Sequence, residues 1–347
     1  MGVKGLGSKA ASRAAVGVVL LASAGCGEGA VGPASGSSGT SMGTVPSATP
    51  TDNNSNAASG SNIEPPPPPQ GSTEPVDDAG DAGVIAAEPA EASVVDAPAG
   101  GALEDTSGWT LTWSDEFDGP DGSAADPTKW ANDVGGSGEG NMELEYYTPG
   151  AQNAVVEGGN LVITATTDGA SKQSCWYGQC QYTSGRLTTR GKFSQKYGRF
   201  EARILSPSGQ GMWPAFWTLG VSGGWPACGE MDIMESIDLV TANHGSLHAP
   251  NYNPTATYNP TPGLAEAFHT YAVEWDESSI SFLVDDHVYE TRTPTDAAQS
   301  GGTWAFTQPN YIIVNLAVGG NWPGNPNGST TFPQKMLIDW VRVYSKN

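Results

Sequence analysis

Two neighbouring segments in the middle of the chain decide how it folds: GMWPAFW at residues 211–217 and GEMDIME at residues 229–235. Both are short and apolar, and glycines and a proline separate them, which is typical of adjacent β-strands. In the second segment Glu230 and Asp232 alternate with apolar residues and therefore point to one face of a strand. Glu235 would point to the opposite face unless a β-bulge returns it. The sequence predicts a bulged strand with three carboxylates on one surface.

Strand-like segments also occur on both sides of these two segments. Alternating or β-branched runs are separated by clusters of Gly, Pro, Asn and Asp, and no long stretch keeps a 3.6-residue period with helix caps. The runs lie at 109–113, 160–166, 198–204, 270–275, 279–284, 311–317 and 335–344. We expect an all-β domain over residues 107–347, built as an antiparallel sandwich or barrel.

The first 108 residues have a different composition, because every Trp, Tyr and Phe lies at or after Trp109. Residues 27–106 consist largely of Ala, Gly, Ser, Pro, Asn and acidic residues. Such a segment cannot bury enough apolar area to offset its ordering entropy. We predict a disordered linker that tethers the folded domain.

Residues 1–26 have the features of an export signal. Lys4, Lys9 and Arg13 precede an apolar run at 14–24, which is too short to span a bilayer permanently. Small residues before Cys26 resemble a bacterial lipobox, so Cys26 is the expected lipidation site. Cleavage by an ordinary signal peptidase is the alternative. We expect an exported protein, either lipid-anchored at the outer surface or secreted.

The formal charge of −22 is strongly acidic, but 12 of the 37 acidic residues fall in the linker, which has no Lys or Arg. No basic cluster is visible, so we expect no nucleic-acid partner, whereas a neutral polymer is compatible with this surface. We expect a monomer that touches a membrane only through a lipid anchor at Cys26.

The three carboxylates of residues 230–235 suit glycoside hydrolysis. With the bulge, Glu230 and Glu235 are about four strand steps apart, or ~13 Å between Cα atoms. Leaning side chains can bring the carboxyl groups to the ~5–5.5 Å that a retaining glycosidase requires. Glu230 would be the nucleophile, Glu235 the general acid/base, and Asp232 would tune their proton affinity without any cofactor. An ordinary solvated acidic strand is the alternative.

Aromatic residues surround these carboxylates. Trp213 and Trp217 are on one face of their strand, and Trp225 precedes the acidic strand. Flat rings complement the C–H faces of sugars, although core packing is the alternative for any single tryptophan. We expect Trp217 to be the more buried and Trp213 to face the sugar.

These segments resemble glycoside hydrolase family 16, specifically its laminarinase-like endo-β-1,3-glucanases. The similarity extends from Trp109 to Tyr344. It includes WSDEF at 113–117, NMELEYYT at 141–148, YTSGRL at 182–187, NLAVGGNWPG at 315–324 and DWVRVY at 339–344. The resemblance implies a concanavalin-like jelly roll with a concave substrate cleft and the same roles for the three carboxylates. Met142 and Glu145 depart from the family, which commonly has Asn and Gln there.

The resemblance also implies which residues line the cleft. They are Asn141, Arg186, Trp213, Trp217, His248, Asn315 and Trp322. A structural calcium ion would match Glu116, Gly159 and Asp339, with ordinary turn and strand residues as the alternative.

The expected reaction is endo-hydrolysis of laminarin-like β-1,3-glucan. A hydrolase of the same fold that acts on mixed-linkage β-glucan, agar, carrageenan or xyloglucan is the first alternative. A non-catalytic glucan-binding protein is the second.

Cys175 and Cys180 bracket a short loop of four residues. In an exported protein they are expected to close it as a disulfide. Two reduced thiols in a mobile loop are the alternative.

Overall fold

The computed structural model describes residues 108–238 and 241–347. The predicted signal peptide at 1–26, the lipidation site Cys26 and the predicted linker at 27–106 lie outside the described residues. Among the residues that are described, no helix has the length and apolar character needed to cross a membrane.

The described part of the chain is almost entirely β. Two short 3-10 helices lie at Gly150–Gln152 and Ala170–Lys172, and one α-helix, α1, at Pro294–Gln299. The strands are β1 (Trp109–Asp115), β2 (Ala131–Asn132), β3 (Glu145–Tyr147), β4 (Ala154–Glu157), β5 (Asn160–Ala165), β6 (Ser174–Cys175), β7 (Gly178–Gln179), β8 (Tyr182–Ser184), β9 (Arg186–Thr188), β10 (Gly198–Leu205), β11 (Met212–Gly220), β12 (Glu230–Glu235), β13 (Asn243–His248), β14 (Thr255–Tyr258), β15 (His269–Trp275), β16 (Ile280–Val284), β17 (His287–Arg292), β18 (Asn310–Val318) and β19 (Gln334–Lys346).

Most strands belong to two antiparallel sheets. One has the order β17-β16-β15-β10-β19-β5-β4, with β1 also paired to β19. The other has the order β14-β13-β12-β11-β18-β9-β2. A single cluster of buried apolar side chains, including Phe200 and Val343 of the first sheet and Phe216 and Val314 of the second, joins their inner faces. The prediction of an all-β antiparallel sandwich is confirmed.

Strand β11 shows how the two faces of the second sheet differ. Met212 and Phe216 point into the shared core. Trp213 and Trp217, on alternate positions, point to the outer face and pack in two smaller clusters there. Full burial of one large apolar side chain stabilises a fold by roughly 1.5–3 kcal/mol, so the core-facing set fixes which face remains for function.

A β-bulge in β12 determines where its last residue points. Trp217 pairs with Asp232 but Phe216 pairs with Met234, so Ile233 is the extra residue. Ile233 and Met234 are both buried in the core. Glu235 therefore returns to the outer face, and the predicted bulge between Asp232 and Glu235 is confirmed.

Strands β6 and β7 form a small hairpin beside the second sheet. Cys175 and Cys180 form a disulfide across it, with Cα atoms 5.1 Å apart. This crosslink closes the loop that contains Trp176 and Tyr177.

Candidate active site

Two glutamates on the outer face of β12 are each held by a tryptophan. Nε1 of Trp225 donates to Oε2 of Glu230 over 2.7 Å. Nε1 of Trp213 donates to Oε1 of Glu235 over 2.9 Å. Both carboxylates are buried. Two rigid indole donors therefore fix the orientation of the two groups that the sequence predicts to be catalytic.

Asp232 lies between the glutamates and contacts a histidine from the next strand. Nε2 of His248 is 3.1 Å from Oδ2 of Asp232, and Nδ1 of His248 is 3.2 Å from Oδ1 of Asn253. Among the described residues, Glu230, Asp232 and His248 are the one group whose donor atoms, all within 4.8 Å of one another, could hold a metal ion. Burying two carboxylates this close together costs folding free energy, and such clusters are typical of functional sites.

The environment raises the proton affinity of this cluster. Burial, followed by the negative charge of Asp232, raises the pKa of Glu230 well above its usual range. The same two causes raise the pKa of Glu235. Burial opposes charge on His248, but the contact with Asp232 outweighs it and raises the pKa of the imidazole. The site can therefore keep a proton where an exposed carboxyl would have lost it.

A chain of hydrogen bonds crosses the same sheet face beside β12. Trp217 donates to Oδ1 of Asn315 over 2.7 Å. Nδ2 of Asn315 donates to the hydroxyl of Tyr147 over 3.1 Å, and that hydroxyl donates to Oε2 of Glu143 over 3.2 Å. Tyr147 and Glu143 are site residues that the sequence alone did not indicate, although both stand in the family-like segment 141–148.

Arg186 on β9 packs against this chain. Its guanidinium lies 5.1 Å from the ring of Trp217 and 5.9 Å from that of Tyr147. Asp133 at 3.2 Å and Glu139 at 3.0 Å balance its charge. The arginine is thus a fixed, buried wall of the site.

Trp322 closes the other end of the site. Its ring packs edge-on against Trp213 at 5.4 Å and against His244 at 4.9 Å. The preceding residue, Asn321, donates its main-chain N–H to the carbonyl of Asn141 over 2.8 Å. All seven residues expected to line the cleft therefore lie on or beside the outer face of the second sheet.

The expected difference between the two tryptophans of β11 is wrong. Trp213 is 1% exposed and Trp217 is 4% exposed. Trp213 is the more buried because Glu235, Trp322 and the neighbouring loops enclose it. Half-buried Trp225 and Trp322 are the more accessible rings of this site.

A second carboxyl pair is buried beside the site. Burial, followed by the charge of Glu143, raises the pKa of Glu145 well above its usual range. Burial also raises the pKa of Glu143, whose Oε1 accepts from Asn141 over 3.3 Å. Oε2 of Glu145 accepts the main-chain N–H of Val318 over 2.7 Å. Burial and mutual repulsion favour the protonated form of this pair, at a position where the resemblance implies a neutral glutamine.

The side chains expected to hold calcium are already engaged with arginines. Arg342 donates to both carboxylate oxygens of Glu116, over 3.0 and 2.7 Å. Arg203 donates to Oδ2 of Asp339. Gly159 has φ +72° in the β4–β5 turn and offers only its carbonyl. The side chains as arranged fit a calcium ion poorly, and a structural calcium stays a prediction.

Comparison with known proteins agrees with this geometry. Residues 140–342 match the model of Glycosyl hydrolases family 16. A beta-glucanase of Rhodothermus marinus is 43% identical over 256 residues, which cover 68% of this chain and 85% of that protein. Glucan endo-1,3-beta-glucosidase A1 of Niallia circulans is 36% identical over 264 residues, or 69% of this chain and 38% of that protein.

A solved structure shows the same architecture. The catalytic domain of an endo-1,3-beta-glucanase (laminarinase) from Thermotoga petrophila RKU-1 is 42% identical, with a TM-score of 0.64, and the match covers 69% of this chain and 98% of that one. Fold and site together define a glycoside hydrolase with a jelly-roll domain. The chain belongs to glycosyl hydrolases family 16.

Proposed function

We propose that this protein is an endo-β-1,3-glucanase that acts by a retaining double displacement. The observation that carries the proposal is the pair of buried glutamates on one face of β12, each held by its own indole N–H. The Niallia and Thermotoga relatives are named as endo-1,3-beta enzymes and the Rhodothermus relative as a beta-glucanase, which supports β-1,3-glucan as the substrate.

In the first step Glu230 attacks the anomeric carbon, while Glu235 gives its proton to the departing glycosidic oxygen. In the second step Glu235 takes a proton from water, which displaces Glu230 and releases the sugar. Burial, and then the negative charge of Asp232, which contacts His248, raise the proton affinity of both glutamates. The N–H of Trp225 favours the ionised form that Glu230 needs as a nucleophile. The raised pKa of Glu235 suits an acid that must still be protonated when it meets the substrate.

The stereochemistry of the first product tests the mechanism. Retaining glycosidases hold their two carboxyl groups ~5–5.5 Å apart, too close to admit a water molecule between the nucleophile and the anomeric carbon. Two carboxylates on one face of the bulged strand β12 support this arrangement, so we expect retention. Proton NMR of fresh laminarin digests should show the β-anomer first. An α-anomer that appears first would contradict this geometry.

A panel of polymers tests the substrate. We expect reducing-sugar release and a rapid fall in chain length from laminarin, and slower release from mixed-linkage β-1,3/1,4-glucan. Reducing-sugar release mainly from agarose, carrageenan or xyloglucan would be consistent with the proposed mechanism but would show that the substrate is a different polymer. Binding of laminarin with unchanged chain length would identify a non-catalytic glucan-binding protein.

Export and anchoring are further parts of the proposal, supported by the basic and apolar pattern before Cys26. We propose a monomer held at the outer surface by a lipid on Cys26. Incorporation of labelled palmitate that Cys26→Ser abolishes would support the anchor. Release of the unlabelled wild-type chain into the medium would support ordinary secretion.

A structural calcium ion is the remaining proposal. Its carboxylate ligands would have to share their oxygens with Arg342 and Arg203, so we expect weak binding. The melting temperature measured with EGTA and then with excess calcium tests this. A large, reversible rise with calcium would show that the ion is integral to the fold.

A further inference from the structure

Exposed apolar side chains concentrate at one place on the described surface. Five large apolar residues are exposed in residues 108–238 and 241–347, and three of them are Val134, Met142 and Trp176. The segments that carry these three touch one another. The main-chain N–H of Trp176 bonds to the carbonyl of Gly136, and the indole lies against Gly138. A cluster of this kind on an otherwise polar surface is a candidate binding site.

Trp176 is exposed and yet firmly held. Its side chain is 45% exposed, but Nε1 donates to the carbonyl of Glu143 over 2.7 Å. A Cβ atom on Gly138 would lie 2.6 Å from the indole, so only glycine permits this contact. Tyr177 packs edge-on at 5.3 Å, and the disulfide closes the loop around both rings. An aromatic ring that is fixed before a ligand arrives loses little entropy on binding.

The loop that supports Trp176 also contacts the active site. Glu143, whose carbonyl accepts the Trp176 indole, accepts the hydroxyl of Tyr147 in the hydrogen-bond chain that reaches Trp217. A Cβ atom on Gly320 would lie 3.5 Å from both Cγ of Glu143 and the ring of Trp213. One loop therefore separates Trp176 from the tryptophan that holds Glu235. The loop around Glu143 thus contacts both the Trp176 ring and the wall of the cleft.

We propose that Trp176 forms an additional sugar subsite, where its ring stacks on a glucose unit of the β-glucan chain beyond the units that contact Asn141 and Arg186. This inference rests on the proposed function, because the ligand is the same polymer that Glu230 and Glu235 cleave. Trp176 acts as a binding residue for long chains and not as a catalytic residue. Val134 and Met142 are exposed on the segments that contact the Trp176 loop, and their apolar side chains can extend the surface available to the polymer.

A glucan chain fits the patch better than a protein or a membrane does. Three side chains provide far less than the roughly 800 Å² per partner that a stable protein interface buries. Asp133 and Glu139 on the same segments neutralise Arg186, so this arginine is not free to attract an anionic lipid surface. A neutral polysaccharide already bound in the adjoining cleft meets neither obstacle, and a flat ring complements its C–H faces.

The test compares long and short laminarioligosaccharides. Affinities are measured by calorimetry in the full chain with Glu230→Gln, with and without Trp176→Ala. We expect Trp176→Ala to weaken binding of long oligosaccharides about 3- to 10-fold, and that of a trisaccharide much less, because a short ligand does not reach the ring. Trp176→Phe should restore part of the loss. Replacing both Cys175 and Cys180 with Ser should weaken binding of long oligosaccharides more than that of the trisaccharide, as Trp176→Ala does, because the loop no longer holds the ring in place.

Trp340→Ala is the matched control. This half-buried tryptophan lies in β19 of the opposite sheet, where the Arg342 guanidinium is 4.1 Å from its ring. It should leave the dependence on chain length unchanged. Equal affinity changes for long and short ligands, or no change for either, would overturn the subsite. If the unmutated enzyme fails to shorten laminarin, the proposed function fails instead, so the two outcomes are distinguishable.

Discussion

Trp213 donates its indole N–H to Oε1 of Glu235 over 2.9 Å, although the tryptophan stands near the start of β11 and the glutamate ends β12. The bulge at Ile233 makes this contact possible, because it turns Glu235 to the face that carries Trp213. Trp225 makes the equivalent contact with Glu230 over 2.7 Å. Each carboxylate proposed to be catalytic thus has its own donor, which stabilises the ionised form of that group separately.

The two glutamates are expected to be indispensable and to have different roles. Glu230→Gln and Glu235→Gln should each lower kcat on laminarin by roughly 10²–10⁴-fold or more while the melting temperature stays close to that of the wild type. Glu230→Ala with azide should yield an α-glycosyl azide, whereas Glu235→Ala should yield a β-glycosyl azide. Wild-type turnover in either Gln variant would contradict the double displacement.

Much of this site could be predicted from the sequence because its key residues stand close together on one strand. Alternation placed Glu230 and Asp232 on one face, and the odd spacing of Glu235 required the bulge that β12 contains. The indole donors could not be predicted, since they depend on how β11 and the 221–229 loop pack against β12. The same is true of Tyr147 and Glu143, which reach the site through contacts that span more than a hundred residues of sequence.

The burial of Trp213 shows a second limit of sequence reasoning. A strand pattern shows that Trp213 and Trp217 share a face, but not which loops cover that face. Residues from the segment at 320–322 enclose Trp213 in the folded protein, as its contact with Trp322 shows. The exposed ring is instead Trp176, which the sequence suggests only as part of a disulfide loop.

Deletion of Ile233 tests the bulge. The shortened strand, EMDME, would alternate regularly and keep the second glutamate on the outer face. We expect hydrolysis to remain measurable above the level of Glu235→Gln, with a loss of stability of roughly 2–5 kcal/mol because a buried isoleucine is removed. Kinetics and urea unfolding of the deletion variant measure the two effects. Activity as low as that of Glu235→Gln in a folded deletion variant would show that the bulge itself positions the acid.

Glu145→Gln should stabilise the protein increasingly as the pH rises. Burial, and then the charge of Glu143, raise the pKa of Glu145 in the folded protein. The contribution of Glu145 to the free energy of unfolding is therefore fully present below the pKa of an unfolded glutamate, about 4.3, and is lost as the pH rises through the folded pKa. A glutamine keeps a donor toward Glu143 at every pH. We expect a gain of about 1–3 kcal/mol at alkaline pH and little at pH 4, measured by urea unfolding. The exposed Glu277→Gln serves as the control, and an equal gain at all pH values would contradict the raised pKa of Glu145.

Deletion of residues 27–106 should leave hydrolysis of soluble laminarin unchanged. That segment contains no aromatic residue and no Lys or Arg, and the sandwich begins with β1 at Trp109. The measurements are kcat and KM on laminarin beside the melting temperature, for the deletion and the full chain. A marked fall in either activity or melting temperature would show that the segment contributes to the folded domain.

The two indole donors should shift opposite limbs of the pH profile. The hydrogen bond from Trp225 partly offsets the raised pKa of Glu230, so Trp225→Phe should raise that pKa further. Because the nucleophile must be ionised, the acidic limb of kcat/KM should move to higher pH by about one unit. The hydrogen bond from Trp213 partly offsets the raised pKa of Glu235, so Trp213→Phe should raise that pKa further. Because the acid must be protonated, the alkaline limb should move to higher pH. Phenylalanine removes the donor but keeps a ring, which limits the effect on packing. If Trp225→Phe moved only the alkaline limb and Trp213→Phe only the acidic one, the roles of the two glutamates would be reversed.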